Sequence, residues 1–571
     1  MHWETAGQTG KQTLELTFRP RFYQKHKGLQ YFTPWTCKVW KGSVSGYCTW
    51  WAYKAGLNQE AMDSVLDVFK EKNLPDYGYR YFQFDDAYQS GGGSPQGWLN
   101  WNEKFPGGPQ YAVKRIKETG MEPGIWVFCF FKRGDPVVQK AAKEHPEWFI
   151  HDADGKMFTN RGWYALDTTN KDALERLVRP TYRGLRKLGF TCVKIDGAGD
   201  LVDWGYRKCP AYLEKTGSTE QAALRRFYEA AREELGRDIY VLTCWGVLPE
   251  QIGVADGCRL STDGFRVASF QGFNSWEGVV WRNDPDHCDV LPVGRKEYSV
   301  MKTFAADAAP LDSILRPSLT SMAGGVLLLS DKAEVYKDDN NLEGARRSSP
   351  VLFTVPGQLY DHTPKYSGWH FRNHARWGGG EARWWLMEID RPFDHWSVLG
   401  SYSWRRKDLK WKRAAMPEEE VRFADLGLYP DREYLVFEFW EQTFTGRFKG
   451  AFTVPAQDAD HGVQLFVIRE ARPHPWILST TRHISQGGVS LSGVKWAGDS
   501  KTLSGASKVV VEDPYVLTIH VPDGFRLATA RVNGLNAEME NRKNIATVRV
   551  VPRKTGTVNW RLTFEQRKSN R

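Results

Sequence analysis

The chain has 571 residues, which is too long for one compact core and predicts two to four domains. Hydrophobic residues make up 41% and charged residues 26%, as in ordinary globular proteins, and no apolar run approaches the roughly 20 residues of a membrane-spanning helix. The net charge of +10 does not indicate nucleic-acid binding, because acidic residues are interleaved with the dispersed Lys and Arg.

The cysteine and aromatic residues further limit the kinds of function that the sequence indicates. The eight cysteines form no CxxC pair and show no metal-ligand spacing with histidine, so they indicate no metal site. Aromatic residues reach 14%, with 25 Trp, and a flat ring can stack on the apolar face of a pyranose. The first ten residues, MHWETAGQTG, lack the apolar core of a signal peptide. Secretion or a periplasmic location is favoured only if such a peptide has been removed.

From about residue 46 to residue 330, strand-like and helix-like segments alternate. Two helices carry clear start signals, Asn58 before the first and a capping box of Ser218 with Gln221 before another. The strand candidates are SGYCTWW, YRYFQFDD, EPGIWVFCFF, FTCVKID, IYVLTCWG, GCRLSTD and the apolar end of SMAGGVLLLSD. This size and spacing predict an α/β fold of the (β/α)8 TIM-barrel type.

After about residue 350 the pattern changes to alternating strands without intervening helices. A second change follows at REARPHPW, residues 469–476. The sequence therefore predicts C-terminal antiparallel β-sandwich domains after the barrel. The predicted organisation is a lead-in segment at 1–45, a catalytic barrel at 46–350, a β-domain at 351–470 and a second small β-domain at 471–571.

The stretch VKIDGAGD, residues 193–200, ends an apolar strand on two opposite charges. Active sites of such barrels lie at the C-terminal ends of the strands, so these charges are expected to project into a cleft. The predicted strands end, in chain order, on Trp50, Asp85 with Asp86, Trp126, Asp196, Cys244 with Trp245, and Asp263. Carboxylates with aromatic rings between them indicate a carbohydrate-binding cleft.

Carboxylates gathered in this way favour glycoside hydrolysis, which needs one carboxylic acid and a second carboxylate. Lys194 and Asp196 lie two residues apart, so both side chains point to one face of the strand. The ammonium is expected to keep Asp196 ionised, as a nucleophile requires. Asp263 suits the acid, and the parity of an extended strand puts Arg259 on its face.

The order of GYCTW, FDDAYQ, EPGIWV, KID, TCWG, RLSTD and WRNDPD resembles the clan of retaining α-galactosidases, glycoside hydrolase families 27 and 36. The resemblance covers roughly residues 46–331 and has a divergent, family 36-like outline. It implies release of terminal α-D-galactosyl or α-N-acetylgalactosaminyl groups through a covalent intermediate, without a metal or another cofactor. The expected partner is a carbohydrate substrate.

The resemblance also implies roles for single residues. Asp196 would be the nucleophile and Asp263 the acid/base, while Lys194 would contact sugar hydroxyls. Asp85 and Asp86 would hold O4 and O6 of galactose through charge-assisted hydrogen bonds.

The remaining residues of the expected cleft are mostly aromatic. Trp50 would form the wall behind the sugar ring, and Trp126 is expected to line the same cleft. Cys244 and Trp245 would line the O2 side, and Arg259 would contact the hydroxyl beside the reacting carbon. Asp284 and Asp286 in NDPD are expected to brace the loop and Arg259.

Several alternatives stay open. Many clan members have an acidic residue between the cysteine and tryptophan that TCWG makes adjacent, so galactose and N-acetylgalactosamine are not distinguished. GYCTWWAY also resembles the raffinose-synthase branch, which transfers sugars instead of hydrolysing them. A non-catalytic carbohydrate-binding protein would be expected to lack Asp196 or Asp263, and both are present. The sequence does not indicate the aglycone, the linkage or the oligomeric state.

Overall fold

The computed structural model of the protein describes residues 17–21, 24–25, 31–33, 38–244, 247–260, 263–265, 274–290, 312–353, 358–359, 383–403, 405–406, 412–413, 415–457 and 462–566. Two compact units are present. One contains residues 34–382 and the other contains Arg383–Arg571. No helix among the described residues is long and apolar enough to cross a bilayer.

The first unit is built on a parallel sheet of eight strands. The strands are β1 Ser45–Cys48, β2 Tyr81–Phe84, β3 Glu122–Phe128, β4 Cys192–Asp196, β5 Tyr240–Thr243, β6 Gly257–Arg259, β7 Arg282–Asp284 and β8 Leu327–Leu329. Each of the strands β1 to β6 pairs with the next in the chain, and β8 pairs with β1. The strands are almost entirely buried, as expected for a sheet that helices cover.

The sheet closes between β7 and β8 through a few backbone contacts. The Val326 amide donates to the Asn283 carbonyl at 2.8 Å, and the Cys288 amide donates to the Leu328 carbonyl at 2.7 Å. The predicted (β/α)8 barrel is therefore confirmed. Strand β7 was not among the apolar strand candidates, because it has three residues and reads Arg-Asn-Asp.

Helices follow most of the strands. The longer helices are α1 Gln59–Glu71, α2 Gly108–Glu118, α3 Pro136–Glu144, α4 Arg179–Leu188, α5 Glu220–Leu235, α6 Asp312–Met322 and α7 Asp339–Ser348. Asn58 caps α1 as predicted, since its side chain accepts a hydrogen bond from the Ala61 amide at 2.8 Å. The prediction for α5 was one residue early: Thr219, not Ser218, accepts from the Ala222 amide at 3.2 Å.

A small three-stranded antiparallel sheet lies in the connection after β3. Its strands are Phe131–Lys132, Thr159–Asn160 and Trp163–Tyr164. Arg161 and Gly162 form the two-residue turn of its hairpin, with φ of 49° and 85°. Positive φ at both central residues is the conformation that matches the right-handed twist of the flanking strands.

The second unit is entirely antiparallel where it is described. Five strands of this unit belong to one sheet, in the order β9, β10, β13, β11, β12. They are β9 Trp384–Arg391, β10 Asp394–Tyr402, β11 Glu433–Glu438, β12 Thr443–Lys449 and β13 Val463–Glu470. A separate pair joins Glu419–Arg422 to Ala451–Val454.

Two four-stranded sheets follow in the same unit. Their strands are β14 Trp476–Thr480, β15 Leu491–Ala497, β16 Thr502–Val509, β17 Tyr515–His520, β18 Phe525–Val532, β19 Glu538–Arg542, β20 Ile545–Val550 and β21 Gly556–Gln566. The sheet orders are β14-β17-β20-β19 and β15-β16-β21-β18. Leu503, Leu517 and Trp560 belong to one apolar cluster contributed by both sheets. The predicted C-terminal β-structure is confirmed, and the boundary between residues 470 and 471 stays a prediction.

The close pairing of β1 with β2 generates a test of the barrel. A Cβ atom on Gly46 would lie 2.1 Å from the Tyr81 carbonyl oxygen, so the backbones would have to separate. We expect Gly46→Ala to lower the free energy of unfolding by about 3 kcal/mol, as overpacking does. The control is Gly56→Ala, where a Cβ meets nothing within 4 Å. Thermal unfolding checks this, and equal stability of the two variants would contradict the pairing.

Candidate functional site

The charged residues of the barrel collect at the C-terminal ends of its strands. Asp85 follows β2, Asp196 ends β4, Arg259 ends β6 and Asp284 ends β7. Buried strand residues precede each of them, so a rigid element holds every charge. The structure thus brings together strand ends that are far apart in the sequence.

Asp196 is held by donors on both sides. Trp126 Nε1 donates to Asp196 Oδ2 at 2.9 Å, and the Gly197 amide donates to Oδ1 at 2.6 Å. The backbone carbonyl of Asp196 accepts from the Cys129 amide at 2.9 Å and from the Cys129 thiol at 2.7 Å. These contacts orient the carboxylate. Trp126 lies inside β3, two residues before its end, instead of at the predicted strand end.

Lys194 forms its ion pair with Asp85 and not with Asp196. The distance from Lys194 Nζ to Asp85 Oδ2 is 2.8 Å, and both side chains are almost fully buried. Burial alone would lower the pKa of Lys194, but the Asp85 carboxylate outweighs it and raises that pKa. Because the direct ion pair is with Asp85, the expectation that the Lys194 ammonium keeps Asp196 ionised stays a prediction.

Asp85 is satisfied within the protein. Its Oδ1 accepts from the Asp86 amide at 3.0 Å, and its own amide donates to Thr49 Oγ1 at 2.9 Å. Burial would raise the pKa of Asp85, but Lys194 and His287 lower it below its usual range. A direct contact between Asp85 and a sugar stays a prediction.

Asp86 is the more accessible of the tandem aspartates. Its Oδ1 accepts from the Ala87 amide at 2.7 Å and from Gln89 Nε2 at 2.6 Å. Burial raises its pKa, and the hydrogen bond from Gln89 opposes that effect. Asp86 borders a cavity and Asp85 does not, so Asp86 is the better placed of the pair to meet a ligand.

Arg259 bridges two carboxylates. Its Nη2 donates to Asp263 Oδ1 at 2.8 Å and its Nη1 donates to Asp286 Oδ1 at 3.0 Å. Oδ2 of Asp286 accepts from Trp51 Nε1 at 3.3 Å and from the Gly264 amide. The expectation that Asp286 braces the loop and Arg259 is therefore confirmed.

The two partners of Arg259 have opposite pKa shifts. Partial burial raises the pKa of Asp263, and the charge of Asp286 adds to the increase while Arg259 opposes it. Burial would also raise the pKa of Asp286, but Arg259 and His287 hold it well below its usual range. Asp263 is 44% exposed, whereas Asp286 has no exposed side-chain surface. Asp263 therefore suits a group that exchanges a proton, and Asp286 suits a fixed charge.

The remaining predicted site residues have simpler surroundings. Trp50 lies in a short helix, Trp50–Tyr53, and packs against the apolar cluster that includes Cys48 and Tyr240. Cys244 is buried, and its amide donates to the Ile195 carbonyl at 2.8 Å. Trp245 lies outside the described residues.

One group among the described residues has side chains of the types that bind metals. The ligand atoms of Cys48, Asp85 and His287 lie within 4.8 Å of one another, with Cys48 Sγ 3.1 Å from His287 Nε2. Burial lowers the pKa of His287 to about 4, so the imidazole is neutral at pH 7. The ammonium of Lys194 already supplies the positive charge at Asp85.

A cavity of about 200 Å³ lies beside the candidate site. Its aromatic walls are Trp126, Phe128, Phe130, Trp163 and Trp204. Its polar groups are Asp86, Asn160, Arg161 and Asp200. Trp126 belongs both to the cavity wall and to the candidate site, because its indole also donates to Asp196.

Sequence reasoning missed two kinds of residue here. Trp51 and His287 join the buried charges, and their only sequence signal was adjacency to Trp50 and to NDPD. Phe128, Trp163 and Trp204 line the cavity, and nothing in their local patterns distinguishes them from core aromatics. Their roles come from the tertiary fold.

Comparison with known proteins gives consistent results. Residues 49–233 match the Melibiase family. Alpha-galactosidase Mel36A of Lactobacillus acidophilus is 23% identical over 203 residues, which are 34% of this chain and 26% of that protein. The match thus spans about a quarter of the length of this relative.

Solved structures share the fold. The wild-type family 27 β-L-arabinopyranosidase of Geobacillus stearothermophilus superposes with a TM-score of 0.53 at 14% identity, over 76% of this chain and 97% of that chain. A variant of the same enzyme in complex with arabinose gives 0.52 at 14% identity, over 76% and 98%. At this identity the likeness concerns the fold alone.

The buried pair of Lys194 and Asp85 generates a test of stability. Asp85→Asn leaves an unpaired buried ammonium, so we expect the free energy of unfolding to fall by about 3–5 kcal/mol at pH 7. The control is Glu118→Gln, which removes an exposed pair with Lys114 at 3.8 Å and should cost less than about 1 kcal/mol.

The same pair has a predictable pH dependence. The pKa of Asp85 is lower in the folded protein, so its contribution is complete above the unfolded pKa of about 3.9 and is lost as pH falls through the folded pKa. Urea unfolding of wild type and Asp85→Asn should therefore differ most at neutral pH and converge in acid. A difference that grows in acid would contradict the pairing.

Proposed function

We propose that this chain, a member of the α-galactosidase clan through residues 49–233, is a retaining exo-glycoside hydrolase. Its proposed substrates are oligo- or polysaccharides that end in α-D-galactose or a galactose-like sugar. The observation that carries the proposal is the contrast between two carboxylates at the barrel mouth. Asp196 is oriented by donors to both oxygens, while Asp263 is half-exposed and has a raised pKa.

The proposed reaction has two displacements. In the first, Asp196 attacks the anomeric carbon while Asp263 gives its proton to the departing glycosidic oxygen. In the second, Asp263 takes a proton from water, and that water displaces Asp196 from the sugar. Arg259 would stabilise the ionised form of Asp263 between the steps, since its Nη2 already donates to that carboxylate.

Sugar selection is proposed to depend on Asp86, an acidic residue that borders the cavity beside Asp196. A screen of 4-nitrophenyl glycosides tests the substrate. We expect the highest kcat/KM on the α-D-galactoside. The α-N-acetylgalactosaminide and the β-L-arabinopyranoside are the two comparisons, the latter because β-L-arabinopyranose is galactose without its C6 group. Higher activity on either of these glycosides would show that galactose is not the preferred sugar. A dominant transfer product at high acceptor concentration would show that the enzyme is a transglycosylase and not a hydrolase.

The roles of the two carboxylates are tested by azide rescue. We expect Asp196→Ala to lose turnover of every substrate, because no glycosyl-enzyme can form. Asp263→Ala should still react with a dinitrophenyl α-galactoside, whose leaving group needs no proton, and then stall. Added azide should displace Asp196 from the face opposite to it and release the sugar as the α-galactosyl azide, which NMR of the product identifies.

The reverse pattern would contradict this assignment. If azide rescues Asp196→Ala to the α-azide while Asp263→Ala stays inactive on activated substrates, the two roles are exchanged. The substrate screen on wild type is the control that separates a wrong role from a wrong substrate.

Asp286 supplies a pH prediction. Its charge raises the pKa of Asp263, and it shares Arg259 with that group. Asp286→Asn should therefore lower the pKa of Asp263 and move the alkaline limb of kcat/KM down by about one pH unit.

The matched control is Asp256→Asn at the other end of β6. Asp256 also pairs with a buried arginine, Arg232, at 2.6 Å. We expect this variant to lose stability with an unchanged pH profile. An alkaline limb that stays in place in Asp286→Asn, or moves equally in both variants, would contradict the role of Asp286.

A further inference from the structure

We propose that one exposed sheet face of the second unit binds an acidic polysaccharide. The sheet has the strand order β15-β16-β21-β18. Its ligand would be a polymer that carries a carboxylate or a sulfate on successive sugars. This binding site is additional to the barrel site and does not depend on the reaction proposed there. We term the four cations that form it the basic face: Lys495, Lys508, Arg531 and Arg561.

The two sides of this sheet have different surroundings. Along β21, Trp560, Leu562 and Phe564 belong to the apolar cluster between the two four-stranded sheets. Successive side chains of a strand point to opposite sides, so Arg561 lies on the outer side. Its exposure agrees with this placement. The sheet therefore packs on the core with one side and presents the other to solvent.

Strand register brings three cations into one row across the sheet. Lys495 lies opposite Ser504 in the pairing of β15 with β16. Ser504 lies opposite Arg561, which in turn lies opposite Arg531. The row spans roughly 14 Å, because neighbouring strands lie about 4.8 Å apart. Cations spread over this distance suit the repeated acidic groups of an extended polymer better than one small anion.

The charge of this sheet is unbalanced. Glu565 is its one acidic residue and lies opposite Arg526, so those two charges offset each other. None of the four cations of the basic face forms an ion pair with a described residue. All the charged residues of the four strands are exposed: Lys495, Lys508, Arg526, Arg531, Arg561 and Glu565.

The other four-stranded sheet of the same unit has balanced charges. Arg542 pairs with Glu540 at 2.6 Å, and Arg549 pairs with Glu538 at 3.2 Å. The excess of positive charge is therefore a property of one face and not of the whole β-structure. Charge complementarity indicates an acidic ligand for that face.

Arg531 and Arg561 form a like-charge pair that is unfavourable in the free protein. They lie directly opposite each other on adjacent strands, where like charges are destabilising. A carboxylate or sulfate bound between them would relieve this repulsion. It would also accept charge-assisted hydrogen bonds from the two guanidinium groups. Ligand binding thus accounts for a pair that folding alone disfavours.

The other side chains of the face favour a polysaccharide over nucleic acid or a membrane. Thr563 lies opposite Thr502 and Thr529 in the next row, so hydroxyl groups flank the cations. The aromatic residues of these strands pack against the core: Trp496, Phe525, Trp560 and Phe564. Single-stranded nucleic acids stack their bases on accessible rings, and membrane surfaces take up apolar side chains. Hydroxyls next to cations instead match a polymer of sugars with acidic groups.

Retardation of the full chain in native gels that contain polygalacturonate tests the proposal. We expect Arg531→Gln combined with Arg561→Gln to weaken binding about tenfold, because two charge-assisted contacts are lost. Arg531→Lys combined with Arg561→Lys keeps both charges and should weaken binding less. Binding of wild type should decrease between about 0.05 M and about 0.5 M NaCl, because salt screens exposed charges.

The matched control is Arg542→Gln combined with Arg549→Gln. It removes the same charge from the other four-stranded sheet, and we expect it to change the affinity less than about twofold. Equal weakening by the two double glutamine variants would overturn the proposal, because only net charge would then matter. Equal retardation of wild type by neutral dextran would also overturn it.

Two further measurements complete the test. Thermal unfolding of the Arg531→Gln, Arg561→Gln variant should occur at or above the wild-type temperature, because a repulsion is removed. A lower temperature would give the pair a structural role and overturn the proposal. Single-stranded DNA and phosphatidylserine vesicles should compete less well than polygalacturonate at equal negative charge. Stronger competition by either would replace the polysaccharide as the partner and overturn the proposal.

Discussion

The buried ion pair between Lys194 and Asp85 is the interaction on which the other charges at the barrel mouth depend. Both groups lie near the C-terminal ends of buried strands, and neither can be left unpaired without a large free-energy cost. Asp85 pairs with the ammonium of Lys194, and Asp196 instead accepts hydrogen bonds from the indole of Trp126 and from the Gly197 amide. The strand ends therefore contain one structural pair and one oriented carboxylate.

A second buried cation at the barrel mouth, Arg259, also has a buried carboxylate partner. Arg259 has one buried partner, Asp286, and one half-exposed partner, Asp263. Because Asp286 also accepts from Trp51 and Gly264, its position is over-determined, and Arg259 is held by it. The accessible carboxylate is then placed by a group that cannot easily move. The half-exposed carboxylate of Asp263 is therefore held in place by the buried pair of Arg259 and Asp286.

Periodicity predicted much of this arrangement, and tertiary contacts determined the rest. The apolar runs that end at Asp85 and Asp196 predicted the barrel and the charged residues at its mouth. A buried strand is mostly apolar, whereas the residue at its end can be charged. Strand β7 was not predicted, because a strand of three residues with two charges shows no hydrophobic periodicity. The choice of Asp85 as the partner of Lys194 depends on distances between strands, which parity along one strand does not contain. Trp163 and Trp204 reach the cavity only through the hairpin and a neighbouring connection.

The short strand β7 has one more consequence. It meets β8 through a few backbone hydrogen bonds, including those of Val326 and Cys288, so this seam is the least reinforced junction of the barrel. Local opening in native proteins begins where such bonds are few. The residue that anchors Arg259, Asp286, follows β7 directly. Transient separation of β7 from β8 would therefore release Arg259 from Asp286 before the rest of the barrel unfolds. Amide hydrogen exchange near residues 283–288 would then report the fraction of molecules in which this contact is broken.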